Sequence, residues 1–192
     1  RELNSNGDEV SFKSFLRDTL RYSQKKVYDD NNQLIKITDY YNDGSIKSVS
    51  SYAYNSKGDV INKKEMNDIG VVLLRQDVGY DSEGRKISEI DYDSTGIALG
   101  KTLIKNYDAN DKIQLIEKYD GNDSLFAKYA FEYNANGQET KNTIYNGLNQ
   151  ILRQSITKYD DKGNRISFKL YEGELGLRGT DLTTYNDKGL EI

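Results

Sequence analysis

The chain contains no cysteine, no histidine, no tryptophan and no proline in 192 residues. Without cysteine or histidine, neither a Ser-His-Asp nor a Cys-His arrangement can be assembled, and zinc would have carboxylates alone as ligands. No metal site and no cofactor is therefore expected. The missing proline also carries information, because average usage would place roughly ten in a chain of this length. Proline cannot donate to a β-ladder, so a run of strands each central to its neighbours would exclude it. Hydrophobic residues make up 35% and charged residues 30%, too little apolar material for a deep core. A thin structure with solvent against most residues fits better. The apolar runs are far too short to cross a bilayer as a helix, so no membrane span is expected. The net charge of −4 comes from 31 acidic and 27 basic side chains with no block of one sign, so nucleic acid is not an expected partner. No secretory leader is visible, and the chain starts at Arg1 in mid-phase of its own pattern, which reads as a mature form or a piece of a longer chain.

What is present is a turn, repeated. In Lys158-Tyr159-Asp160-Asp161-Lys162-Gly163-Asn164-Arg165-Ile166-Ser167, Asp160 opens a four-residue turn that Gly163 closes. That is a type I turn followed by a left-handed glycine, the common bulged connection between antiparallel strands. The same form recurs after Tyr54, Tyr80, Tyr133 and Tyr185, with Leu3 in place of tyrosine at the start. Asn32 and Asp111 stand where glycine would close the turns led by Tyr28 and Tyr107; these residue types tolerate the left-handed region best after glycine. The leading residues fall at 3, 28, 54, 80, 107, 133, 159 and 185, a period of 25 to 27 residues. A second series, led by Phe15, Tyr41, Met66, Tyr92, Tyr119, Tyr145 and Tyr171, falls 12 or 13 residues later. Within it, Asp120-Gly121 and Asn146-Gly147 match the dipeptides of two-residue hairpin loops.

The pattern predicts an all-β fold, an elongated, twisted antiparallel meander of tandem β-hairpins with about 14 strands and a 26-residue repeat. Residues 1–192 are expected to form a single continuous array, part of a longer chain. A sandwich or closed barrel is the competing architecture. Glu9 to Leu16 fits either a short helix or a strand, and the repeat phase favours the strand. Twelve of sixteen tyrosines stand just before a turn, which places them in two rows along the margins of the sheet, with neighbours in a row roughly 10 Å apart.

Candidate chemistry is sparse. Asp160 with Asp161, and Asp29 with Asp30, are paired carboxylates of the kind glycoside hydrolysis needs, but their place in turns accounts for them as backbone caps. The turn acids do not have the alternating spacing of an EF-hand calcium loop. Aromatic rings offer the better site. Tyr52 and Tyr54 share one face of a strand, and Tyr129, Phe131 and Tyr133 share one face of another, where flat rings could stack on a sugar or anchor a protein. The same stripes would equally serve as the packed face of the sheet.

Lys158 to Ser167 and Tyr80 to Ser88 resemble the Tyr-Asp motif of RHS and YD-repeat proteins, a Tyr-Asp pair, two variable residues, a glycine and a polar stretch with an aliphatic residue. The resemblance implies a bacterial protein of the cell envelope, secreted or periplasmic, built of hairpins that spiral into an extended sheet or a shell. With the missing catalytic groups, it leads to the expectation of a non-enzymatic scaffold or binding surface for carbohydrate or an extracellular protein. The alternative expectation is a segment of a toxin-enclosing shell, and edge-to-edge self-association is expected from unpaired outer strands.

Overall fold

Strand alternation and turn chemistry generate nearly all of the structure, a computed structural model that describes residues 1–173 and 176–185. In the first unit, Arg1–Leu99, the strands are β1 (Glu2–Leu3), β2 (Glu9–Leu16), β3 (Thr19–Tyr28), β4 (Leu34–Tyr40), β5 (Ile46–Tyr54), β6 (Val60–Met66), β7 (Val72–Tyr80) and β8 (Lys86–Tyr92). In the second, Gly100–Ile192, they are β9 (Ala98–Tyr107, which starts two residues ahead of the boundary), β10 (Ile113–Asp120), β11 (Leu125–Tyr133), β12 (Glu139–Asn146), β13 (Ile151–Tyr159), β14 (Arg165–Glu172) and β15 (Leu177–Leu182). Strand order follows chain order in one antiparallel meander. The fourteen expected strands are all present with no end moved by more than three residues, and β1 makes the fifteenth. Glu9 to Leu16 is strand and not helix.

One turn design serves both series. In each, the first turn residue donates its N–H to the carbonyl four residues on and accepts from the N–H three residues on, as in Asn55 N–H to Asp59 O and Gly58 N–H to Asn55 O. The side chain of that first residue then takes two more backbone donors. Asn55 Oδ1 accepts from Lys57 and Asp59, and Asp160 Oδ1 accepts from Lys162 and Asn164, at 2.8 to 2.9 Å. A short side chain with an oxygen in that place reaches both amides, which favours Asn or Asp there; where Tyr41 stands first, Asp43 Oδ1 accepts from the Ser45 N–H instead. The closing residue is left-handed whether it is glycine, as at Gly58 and Gly163, or Asn32 and Asp111, with φ of 62° and 60°. Each turn sits beside a register shift, for example between Ala53 and Tyr54 or Lys158 and Tyr159, the expected bulge.

Three expectations about turns need correction. Asp120-Gly121 and Asn146-Gly147 are not two-residue loops. Their Asp120 and Asn146 cap the same four-residue turn, closed by Asp123 and Asn149 at φ of 63° and 61°. The two-residue loop is instead at Arg17 and Asp18, both left-handed between paired Leu16 and Thr19, as a type I′ turn demands. Lastly, the turn after β4 is led by Tyr40, because Tyr41 supplies the N–H to Ser45 O that defines the first turn position. With Tyr40 in place, the second turn follows the first by 12 residues in every repeat after the first, as in 28 to 40, 54 to 66 and 133 to 145. The turn expected after Tyr185 lies outside the described residues.

Asp43, Asp81, Asp93 and Asp160 open such turns or stand within them, and all four carboxyls are held below the ordinary value of 3.8. The leading causes are the Ser45 hydroxyl on Asp43, the Arg85 backbone N–H on Asp81, the Thr95 hydroxyl on Asp93 and the Asn164 amide on Asp160. A depressed folded-state value means that the stabilisation is complete above the unfolded value and is lost as pH falls through the folded one. Thermal midpoints should therefore drop as pH falls below about 4. Asn already fills the capping place at Asn55, Asn67, Asn134 and Asn146, so changing Asp81, Asp93 and Asp160 to Asn should flatten that drop. An unchanged acid limb in the triple variant would count against turn capping as its source.

Neither unit has a core in the usual sense. Among the described residues the only buried hydrophobic side chain is Ala127, at 7% exposure, and no large side chain is fully buried. Small residues take the covered places in mid-strand, Ser11 and Thr38 in the first unit and Thr143 and Ser167 in the second. Stability must come from cross-strand pairs on both faces. Asn62 bonds Asp77 and Gln76 bonds Asp91 in the first unit; Gln154 bonds Thr143 and Lys141 bonds Glu132 in the second.

Tyrosines bind one hairpin to the next along one margin. Tyr54 donates its hydroxyl to Leu34 O at 2.7 Å and Tyr80 to Val60 O at 3.1 Å, in each case the first carbonyl of the preceding short strand. Tyr133 to Ile113 O, Tyr159 to Glu139 O and Tyr185 to Arg165 O repeat the bond in the second unit. Tyr54→Phe and Tyr80→Phe should each cost about 1 kcal/mol in a urea titration, the usual worth of one such bond. No change in either midpoint would show the hydroxyls to be dispensable. On the opposite margin, cations cover the rings: Arg75 lies 3.9 Å over Tyr92, Lys101 4.7 Å over Tyr119 and Lys128 4.5 Å over Tyr145. Each cation is the register partner of its ring, so strand pairing alone brings the two together.

Candidate binding face

The five aromatic residues singled out from the sequence fall in different units. Tyr52 and Tyr54 lie on β5 of the first, and Tyr129, Phe131 and Tyr133 on β11 of the second. All are half-buried. Tyr54 and Tyr133 are tied down by the hydroxyl bonds to Leu34 and Ile113, and burial raises both phenols above their ordinary value. Tyr129 has Lys118 over its ring at 5.5 Å, and Tyr52 stands opposite Lys63. Phe131, which has no polar atom to tie, stands opposite Asn142 of β12.

Asn142 belongs to a polar constellation in the second unit. Phe131 pairs with Asn142, Asn142 with Ser155 and Ser155 with Leu170, one row of four strands on one face. The adjoining row runs from Tyr129 through Ile144 and Arg153 to Glu172. Between the rows lies a hollow of about 160 Å³ lined by Asn142, Ile144, Arg153, Ser155, Phe168 and Leu170. Asn142 Oδ1 is buried there without a hydrogen-bond partner. Nothing in the local sequence marked these positions; the signal exists only once register sets i, i+2 neighbours of three strands on one face.

The first unit has a polar cluster that is fully satisfied. Asp39 accepts from the Tyr22 hydroxyl, Gln24 Nε2 and Ser48 Oγ. Burial, and then the bond to Asp39, push the Tyr22 phenol up to about 12. Burial also works against the Asp39 charge, but the three donors outweigh it and hold the carboxyl low. With both Asp39 oxygens engaged, the cluster reads as a cross-strand clasp. The paired acids Asp29 and Asp160 likewise spend their Oδ1 atoms on turn amides. Among the described residues no group of His, Cys, Asp or Glu converges as metal ligands, and no helix is long and apolar enough to cross a membrane.

Comparison of the whole fold places it among known structures. The TcdB2-TccC3-TEV structure matches over 98% of this chain with a TM-score of 0.58 and 12% sequence identity. The hairpin meander is shared. The match covers 12% of that protein's chain, so this chain spans about an eighth of its length. TcdB2-TccC3-Cdc42 matches over 99% of this chain at TM-score 0.58 and 13% identity, also covering 12% of that chain. The Photorhabdus luminescens Tc holotoxin pore carrying a TccC3 mutation matches over 99% at TM-score 0.57 and 12% identity, again across 12% of that chain. At these identities the likeness is one of fold. No protein-family model matches the sequence, and no curated protein matches it.

Proposed function

We propose that this chain is a non-enzymatic stretch of hairpin wall from a larger secreted or cell-envelope protein of bacteria, of the RHS type, whose partner is a polypeptide. The observation that carries the reading is the near absence of a core. A sheet whose only buried hydrophobic residue among those described is Ala127 gives little protected volume for catalysis, yet it extends by simple addition of hairpins. Fold likeness to a section of TcdB2-TccC3 and of a Tc holotoxin pore supports it, as does the Tyr-Asp-Xaa-Xaa-Gly turn of Tyr80 to Gly84 and Tyr159 to Gly163. The aromatic stripe of Tyr129, Phe131 and Tyr133 supplies a contact face for the polypeptide. Limited proteolysis of the intact protein from its host provides the test. A wall section should persist in a protease-resistant particle together with a second, protected polypeptide; a freely digested protein with nothing enclosed removes the reading. A glycan array giving strong signals abolished by Phe131→Ala would instead make the stripe a carbohydrate site.

The outer edge adds a testable consequence. β15 pairs only with β14 among the described residues, and all six of its side chains are exposed. With no proline in its six residues to blunt it, such an edge accepts another strand. Sedimentation of the 192-residue chain should show concentration-dependent association, reduced by Gly179→Pro. A strictly monomeric species at high concentration contradicts this.

A further inference from the structure

Register gathers on one face of the first unit a set of cations that no stretch of the sequence shows. Lys13 of β2 stands opposite Ser23, Lys25 of β3 lies between Ser11 and Thr38, Lys36 of β4 between Val27 and Ser51, and Lys64 of β6 beside Ser51. Each comes from a different strand, so charges dispersed along the chain become near neighbours on the sheet. From β2 to β6 this face carries no carboxylate. It is bounded by Glu2 of β1, opposite Ser11, and by Asp77 of β7, which Asn62 and Arg75 hold. On the other face Lys26 is paired with Glu9 at 2.9 Å, whereas none of these four lysines meets a carboxylate among the described residues. Lys13 and Lys25 also line a hollow of about 130 Å³ with Ser11, Ser23 and Tyr40. None of those three hydroxyls is bonded within the chain among the described residues, so two ammonium groups and three hydroxyl donors border one small space. Like charges gathered on one face repel and lower stability; a face that keeps them and excludes acids is arranged for a negative partner.

We propose that this face docks an acidic stretch of polypeptide in which carboxylates alternate with apolar side chains. One Glu or Asp side chain enters the hollow, where the Lys13 and Lys25 ammonium groups hold its carboxylate and the Ser11 and Ser23 hydroxyls donate to it. Further carboxylates meet Lys36 and Lys64. Val27, Val49 and Met66, which stand in the same rows as the lysines, receive the apolar side chains. This mixture decides among polyanions. Single-stranded nucleic acid and sugars call for flat rings to stack on, and Tyr40 is the one ring on this face from β3 to β6. A duplex is read by an element that enters its groove, which the flank of a sheet is too broad to do. A uniformly charged polymer would also lie over exposed Val27 with nothing to offer it. An extended acidic-apolar peptide repeats its side chains on one side every ~6.7 Å, the same spacing as alternate residues along these strands. The inference rests on the reading that the partner is a polypeptide, and gives that polypeptide its charge.

The test titrates the 192-residue chain with acetyl-Glu-Leu-Glu-Ser-Glu-Leu-Asp amide, followed by amide chemical shifts. Saturable shifts confined to β2 through β6 are expected at about 50 mM salt, with binding roughly tenfold weaker at about 300 mM. The same peptide with Gln and Asn in place of its acids should bind at least roughly tenfold more weakly. Lys25→Glu combined with Lys36→Glu should weaken the acidic peptide as much, whereas Lys158→Glu combined with Lys169→Glu, an equal change of net charge in the second unit, should leave it unchanged. Lys25 and Lys36 are exposed, and Lys25→Gln with Lys36→Gln gives the same comparison if the reversal disturbs the fold. No saturation at millimolar peptide, equal binding of the uncharged peptide, or equal loss in the two charge-reversed variants would each overturn the proposal. Tighter binding of a sulfated oligosaccharide or an oligothymidylate to the same strands would overturn it too, as would loss of self-association in the Lys25→Glu, Lys36→Glu variant, which assigns the face to a second copy. A protected polypeptide found by proteolysis stands even if the acidic peptide fails to bind, and binding stands even if nothing is enclosed, so the two readings fall separately.

Discussion

Gly147→Ala is expected to destabilise the second unit by roughly 3 kcal/mol, at the upper end of what an overpacked site costs. A Cβ at this position would lie 2.1 Å from Leu125 O, 3.1 Å from its carbonyl carbon and 3.3 Å from Phe126 Cα. All three are backbone atoms at the start of β11, which β10 and β12 hold from both sides, so the clash cannot be relieved by turning a side chain. Gly147 is thus needed for close approach, whereas the left-handed place in the same turn belongs to Asn149. Gly96 provides the contrast, with φ of +84° and nothing within 4 Å of an added Cβ. Gly96→Asn should be almost neutral, because Asn149 and Asp123 already occupy the equivalent place, and Gly96→Val should cost about 1 to 2 kcal/mol through its backbone alone. Urea titrations of the three variants measure this; a Gly147→Ala midpoint equal to that of the parent would mean that β11 yields, and the rigidity argued for paired strands would be wrong.

Removing residues 55–80, one full period, is expected to leave a folded protein. The deletion joins Tyr54 to Asp81 and recreates the Tyr-Asp-Ser-Glu-Gly turn, with β5 now beside β8. The pairs this creates keep their faces, since β7 and β5 meet their following short strands in the same register: Tyr80 opposite Lys86 and Tyr54 opposite Val60, each after a one-residue bulge. The Tyr54 hydroxyl still reaches Leu34 O, which lies upstream of the cut. In a globule with a shared core, losing 26 residues would destroy packing everywhere; here each hairpin contacts its neighbours, and stability is close to a sum of local terms. The denaturant slope should fall by about one seventh, in proportion to the surface lost. A deletion variant that is molten by near-ultraviolet circular dichroism would show that the hairpins depend on more than their neighbours.

The sequence was legible where one residue decides one local conformation. Asp160 and Gly163 fix a turn whatever surrounds them, and the same holds at Asn55 with Gly58 and at Asp108 with Asp111. It misled where two local signals competed. Asn146-Gly147 has the composition of a two-residue loop, but the Asn146 side chain gains two amides in the longer turn, and the glycine answers to a strand elsewhere in the chain. Tyr40 and Tyr41 are indistinguishable by type, and only the Tyr41 N–H bond to Ser45 separates them. The aromatic stripe was visible as period-two spacing on β11, but the company it keeps was not.

Strand count, antiparallel sense, the 26-residue repeat and the positions of nearly every reversal were set by residues acting within four or five positions of themselves, because turn capping and backbone handedness are local forces. The juxtaposition of Phe131, Asn142, Ser155 and Leu170, and of Arg153 beside them, was decided by register across four strands. A shift of one residue would have sent each of those side chains to the opposite face, and no spacing within a single strand carries that information.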